Sequence, residues 1–285
     1  MKNTIHFYYN LNFDEIYEYD NYSILIMSEN IYAFKVLNVS MEELVIIMNT
    51  LQSNNIKTNK IILNKNNEIY TEYNGKKYVL TLIENKETIN QFYLFPLINS
   101  RREDFISEIW VKKIEYYVKK IPEVGLGNGW LINSFNYYIG MAENAIAVYN
   151  RCNKNNIRYI VSHRRLNYPL TKTVFLDPTN LLIDAISRDV SEYMKIKFIS
   201  EEYDILEIRK IVEKYNFNND EMNILLARLL YPSYYFDELD QFIEKKEAKN
   251  LKKIVSKIDN YEKMIKKFCN EFKDYQLYVI DWIKK

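Results

Sequence analysis

Apolar and polar residues alternate in short runs through the first third of the chain. Ser23–Met27 (S-I-L-I-M) and Ile31–Leu37 (I-Y-A-F-K-V-L) read as strands, with Ser28-Glu29-Asn30 as a hairpin-like break between them. Ser40 then opens a helix. Glu43 stands three residues on, as a capping box requires, and Leu44, Ile47, Met48 and Leu51 recur at helical spacing. Asn54 and Asn55 close that helix. Lys60–Leu63, Ile69–Tyr73 and Tyr78–Ile83 follow as three further strands. Asn66-Asn67 and Asn74-Gly75 mark the turns between them, the second being a strong hairpin dipeptide.

From Arg101 the period changes from two to 3.6. Ile106, Ile109, Trp110, Lys113, Ile114 and Tyr117 fall at helical spacing, and Ser134–Arg151 is a helix with Ala142, Ala145, Ile146 and Tyr149 facing inward. Gly125-Leu-Gly-Asn-Gly129 reads as a loop, because it neither follows a strand nor opens a nucleotide-binding unit. Ile157–Val161 and Thr173–Leu176 read as a small strand pair. Residues 187–285 form a long helical tail broken at Pro232, and Lys252–Lys285 is amphipathic. Strands segregated from helices in this way predict an α+β chain in two lobes. The strand pattern stops near Glu84–Ser100, which predicts a β-rich N-terminal domain with one helix over 1–95 and a helical domain over 96–285.

Composition narrows the function. With 285 residues, 48% of them hydrophobic, the chain can bury a substantial core. Its 39 basic and 38 acidic residues nearly cancel, and no basic stripe points to nucleic acid as a partner. Two cysteines, Cys152 and Cys269, build neither a disulfide framework nor a cysteine metal site and read as unpaired thiols. No apolar run follows Met1–His6 and none reaches the ~18 residues of a membrane span, so a cytoplasmic protein is expected when the chain is made. Only five glycines are present, and residues 1–74 contain none.

The order of elements, with Ala33-Phe34-Lys35-Val36 on a strand ahead of a helix, resembles the protein-kinase-like fold and, within it, the aminoglycoside-phosphotransferase-like branch. Four segments resemble spore-coat kinase-like proteins of the CotS and YutH type. These are Tyr137–Ile146 (Y-Y-I-G-M-A-E-N-A-I), Ser162–Leu166 (S-H-R-R-L), Ser187–Tyr193 (S-R-D-V-S-E-Y) and Ala227–Pro232 (A-R-L-L-Y-P).

That resemblance implies a site, and its parts are tested one by one against phosphoryl-transfer chemistry. Asp20–Lys35 has no glycine to cover phosphates. Lys35 resembles the strand lysine that contacts nucleotide phosphates and pairs with a helix glutamate, but Glu42 and Glu43 are explained by their place in the first helical turn. The family's catalytic loop is His, any residue, Asp, and Asn five positions later; here it reads His163, Arg164, Arg165 and Leu170. Arg165 cannot accept a proton, Leu170 cannot hold a metal, and His163 is expected to brace the loop. Asp184 at the end of Leu181–Asp184 resembles the metal-binding aspartate, whereas Asp177 before Pro178 reads as a turn or cap residue. Asp189 resembles the aspartate that ties its helix to the loop, and an ion-pair network with Arg164 and Arg165 is expected.

Two functions follow from this reading. The first is a catalytically inactive, kinase-like structural or interaction component of the spore coat, with other proteins as partners and no cofactor required. The second is an ATP- and Mg²⁺-dependent small-molecule phosphotransferase with an atypical active site, using Asp184 on the metal.

Overall fold

The computed structural model describes residues 2–19, 22–84, 86–99, 106–124 and 129–278. They fall into two compact units, one built from Met1–Ser100 with Tyr159–Asp184 and one from Arg101–Arg158 with Ala185–Lys285.

The first unit opens with a helix that the hydrophobic pattern had not revealed, α1 (Lys2–Tyr9). Ile5 and Tyr9, four apart and buried, join Phe13, Leu25, Phe34 and Tyr78 in one core cluster. The segment hides its period because aromatic residues fill Phe7–Tyr9 without interruption. Then come β1 (Glu15–Glu18), β2 (Tyr22–Met27), β3 (Asn30–Val36), α2 (Met41–Ser53), β4 (Lys60–Ile62), β5 (Thr71–Tyr73) and β6 (Lys76–Ile83). They form an antiparallel sheet in the order β1-β2-β3-β6-β4, with β5 also pairing to β6. The predicted hairpins hold. Asn74 and Gly75 both adopt positive φ (49° and 71°), the conformation a two-residue turn between twisted strands needs, and Tyr73 pairs with Lys76 across it. β6 is covered on both faces: Tyr78 and Leu80 enter the α1 cluster, while Val79 packs with Leu37 and with Leu44 of α2. A short β7 (Leu97–Ile98) ends this stretch.

In the second unit, α3 (Ile106–Val124) buries Trp110, Tyr117 and Ile121, but leaves Ile109 58% exposed, so the inward face is rotated from the predicted one. α4 (Gly129–Arg151) starts earlier than expected and adds Leu131 to the buried set. Gly129 is its first residue; the rest of the predicted glycine loop, residues 125–128, lies outside the described residues.

The chain returns to the first unit with β8 (Tyr159–His163), which pairs with β7, and β9 (Leu181–Ala185) completes this three-stranded sheet. Thr173–Leu176 is not the second strand. It lies in a one-turn helix, α5 (Lys172–Phe175), whose Val174 and Phe175 amides return to Thr171 O. Its β-branched composition misleads because only Phe175 is buried there, at one side of a turn.

The second unit closes with α6 (Ser187–Ile199), α7 (Ile205–Lys214), α8 (Asn219–Leu230), α9 (Ser233–Lys245), α10 (Lys249–Val255) and α11 (Ile258–Glu271). Every residue of α8 from Glu221 to Leu230 is buried, which makes it the centre of this unit. Pro232 separates α8 from α9 as predicted. The amphipathic tail is two helices with a turn at Ser256–Lys257, and residues 279–285 lie outside the described residues. Cys152 and Cys269 form no disulfide, and both are buried despite their polar neighbours in sequence. Among the described residues no helix is long and apolar enough to cross a membrane.

Candidate functional site

All but one of the residues singled out from the sequence, Asp189, lie in the first unit, around the segment that joins β8 to β9. β3 carries Lys35 with its side chain about one quarter exposed, and the ammonium donates to Asp177 Oδ2 at 2.5 Å. The Asp177 carboxylate is almost wholly buried. Its second oxygen, Oδ1, accepts from Thr179 N at 2.9 Å and from Thr179 Oγ1 at 2.7 Å. The cap expected before Pro178 is therefore present, but the same carboxylate is also the ion-pair partner of Lys35. That partnership links residues 142 positions apart and leaves no trace in local sequence.

The helix acids need a related correction. Ser40 caps α2 as predicted, accepting from Glu43 N at 3.1 Å. The Glu43 carboxylate reaches outward and accepts the Ile183 N–H at 2.8 Å. Capping alone does not explain this residue: it anchors α2 to β9 beside Asp184. Glu42 stays fully exposed at the helix start, where hydrogen bonds from its own amide and from Ser40 hold its carboxyl below the usual range.

The loop after β8 is fixed at several points. His163 is fully buried, its Nε2 lies 2.9 Å from Phe175 O, and its ring packs against Phe95 and Phe175 at centroid distances of 4.9 and 4.1 Å. Arg164 donates its amide to Asn180 O at 2.7 Å and its guanidinium to Asn38 O at 2.8 Å. Arg165 is held by its peptide: its amide donates to Asn180 Oδ1 at 3.2 Å, and Asn180 Nδ2 donates to its carbonyl at 2.8 Å. Asn180 also donates to Val174 O at 3.2 Å. Sequence reasoning did not single out Asn180. The available signal was an amide residue closing the Asp177–Asn180 turn, since an asparagine can satisfy both backbone groups of one residue. Asn59 does similar work from a distance, pairing with Leu176 O and Thr173 O. Leu170 is buried, at 4% exposure, and its carbonyl accepts from Ile89 N at 2.8 Å.

Asp184 lies near the end of β9 and is 5% exposed. Asp189 belongs to the second unit, fully buried in the first turn of α6. Among the described residues no group of three or more His, Cys, Asp or Glu side chains is close enough to share a metal ion.

Chemically, the arrangement is rich in fixed cations and poor in available bases. Between Arg164 and Asn180 the only carboxylate is Asp177, and both of its oxygens are engaged.

The fold is shared with solved phosphotransferases. An aminoglycoside phosphotransferase from Alicyclobacillus acidocaldarius superposes with a TM-score of 0.55 at 10% identity, covering 93% of each chain. Spectinomycin phosphotransferase bound to AMP gives 0.59 at 10% identity, covering 90% of this chain and 93% of that one. The same enzyme with ADP and spectinomycin gives 0.57 at 11% identity, covering 92% and 91%. At such identities the likeness concerns the two-lobed, protein-kinase-like fold. No curated protein matches the chain at a significant level. The family described as "Spore coat putative kinase YutH" matches residues 100–272, more than half of the sequence. With the segregated strands and helices and the segment from His163 on β8 through Arg165 to Asp184 on β9 in view, the chain belongs to the YutH family of spore-coat kinase-like proteins.

Proposed function

We propose that this protein is a non-catalytic member of its family, a pseudokinase that serves the spore coat as a structural or interaction component. One observation carries the reading: the sole carboxylate of the loop after β8, Asp177, is consumed by Lys35 and Thr179. A substrate hydroxyl placed at this loop would meet Arg165, a permanent cation that accepts no proton. Loss of a general base costs about 10²–10⁴ in rate. Leu170 removes a metal ligand from the same loop, where the family pattern has asparagine.

Nucleotide, where present, is a ligand in this reading and not a phosphoryl donor. Lys35 and Asp184 are the residues that would hold it. The protein is made in the cytoplasm and reaches the coat through contacts with other coat proteins.

The test separates binding from transfer. The purified chain is titrated with ATP and Mg²⁺ while its melting temperature is followed, and radiolabelled ATP is offered with a panel of small hydroxyl and amine compounds. The expected result is no transfer, whether or not the melting temperature rises. Transfer that Asp184→Ala abolishes would establish the alternative, an active phosphotransferase with an atypical base.

A further inference from the structure

The second unit contains a cavity remote in sequence from Arg165 and Asp184. Its empty space measures about 560 Å³, a figure that includes the part open to solvent. About 70 Å³ of this can hold the centre of a water-sized sphere, so the slot is slender. Five elements supply its walls: Tyr138 from α4, Phe198 and Ile199 from α6, Tyr235 from α9, Ile254 from α10 and Tyr261 from α11.

The surface these walls offer is almost wholly apolar, because their polar groups are committed elsewhere. Tyr261 donates to Leu229 O at 2.7 Å, Tyr138 to Ile254 O at 3.4 Å, and the Tyr235 hydroxyl lies 3.3 Å from Ser134 Oγ. The stem of buried Lys195 also lines the slot, while its ammonium donates to Tyr231 O at 2.9 Å and to Ser233 Oγ at 3.0 Å. Tyr138 and Tyr235, both of which line the slot, stack with ring centroids 3.9 Å apart. An apolar ligand would therefore bury surface here without stranding any hydrogen-bonding group of the wall.

Charge at the mouth specifies one end of that ligand. Lys257 lies at the rim and pairs with exposed Glu201 at 2.9 Å. Lys253, also at the rim and exposed, adds a second cation that helps hold the Glu201 carboxyl below its usual range. Two lysines against one glutamate leave the mouth with one positive charge in excess.

We infer that this cavity binds a slender amphipathic carboxylate, with its apolar body between Tyr138, Phe198, Tyr235 and Tyr261 and its anionic head at Lys253. The site is independent of any chemistry at the β8–β9 loop. A ligand there touches α4, α6, α9, α10 and α11 together, so occupancy stabilises the helical unit as a whole.

Octanoate and octanol are the probes, measured by calorimetric titration against the full chain. Octanoate should bind saturably at one site in the millimolar range or below. Lys253→Ala should weaken octanoate about tenfold, equivalent to about 1.4 kcal/mol, and leave octanol unchanged. Ile254→Trp, with Ile199→Phe as a second filling variant, should remove both ligands. In the wild-type protein, nuclear Overhauser contacts should connect octanoate methylenes with tyrosine and phenylalanine ring protons, a readout that needs no variant to fold. Absence of saturable octanoate binding, or binding indifferent to both filling variants, overturns the site. Equal loss of octanoate and octanol in Lys253→Ala overturns the assignment of the anionic head.

Discussion

The Lys35 ammonium on β3 and the buried Asp177 carboxylate form one ion pair, 2.5 Å apart in space and 142 residues apart in sequence. A strand lysine in this fold has reason to face a helix glutamate. Here the helix acid Glu43 accepts a β9 amide, and a turn aspartate faces the lysine. The consequence is structural: the pair binds the antiparallel sheet to the segment between β8 and β9, within one unit.

Breaking this pair should cost stability. Lys35→Met leaves the Asp177 carboxylate buried with the Thr179 hydrogen bonds but no counter-charge from Lys35, and the expected loss is about 2–3 kcal/mol. That is less than the ~3–5 of a fully buried pair because Lys35 remains partly exposed. A double-mutant cycle with Asp177→Asn, followed by urea unfolding, measures the coupling. Additive single effects would show the two side chains to be independent.

A second network holds the helical unit. Glu221, fully buried at the start of α8, accepts from Arg158 Nε at 2.7 Å and Arg158 Nη2 at 2.6 Å, and closes a capping box with Asn218. Arg158 Nη2 also donates to the carbonyls of Tyr215 and Asn216. Glu221→Ala should destabilise the protein by roughly 3–5 kcal/mol, since a guanidinium and a helix terminus lose their acceptor together. Glu221→Gln should recover only part of this. Equal midpoints for Glu221→Ala and wild type in urea would refute the role.

Asp189 tests the expectation carried over from the sequence. Its side chain is fully buried in the first turn of α6, where a carboxylate favours the free N–H groups of the helix start. Asp189→Ala should lower stability by about 1–2 kcal/mol. A melting temperature unchanged from wild type would remove this residue from the list of structural anchors.

Alkaline pH should unfold the protein earlier than its carboxylate chemistry suggests. Burial raises the phenols of Tyr138 and Tyr261 above their ordinary value of 10.0 and takes Tyr235 up to about 12. It also takes the Cys269 thiol from 9.0 up to about 11. Folded chains keep these protons where unfolded chains release them, so stability is complete below the unfolded values and falls as pH rises through the folded ones. The decline should begin near pH 9 with Cys269 and steepen between 10 and 12 with Tyr235. Urea unfolding at several pH values measures the slope, and Cys269→Ser should delay its onset. A flat profile up to pH 11 would contradict the burial of these groups.

Much of the fold was written locally. Period-two runs marked β2, β3 and β6, the Asn74-Gly75 pair marked a hairpin, and Ser40 marked the start of α2, because each rests on neighbours within a few residues. The family resemblance was equally legible, since it resides in short words such as Ser162–Leu166, and the replacement of an acid by Arg165 is visible in one letter. Elements whose period was masked or too short escaped: α1 hid behind consecutive aromatics, and α5 is a single turn with strand-like composition.

The sequence by itself determined that strands and helices would segregate into two lobes and that position 165 holds an arginine, which accepts no proton. Those statements depend only on residue identity and near spacing. The tertiary structure alone decided which charges meet. It gave Asp177 to Lys35, Glu43 to the Ile183 amide, and both backbone groups of Arg165 to Asn180. Such choices are long-range because a buried charge or peptide must be satisfied by whatever the fold brings within hydrogen-bonding reach, and chain distance does not enter that condition.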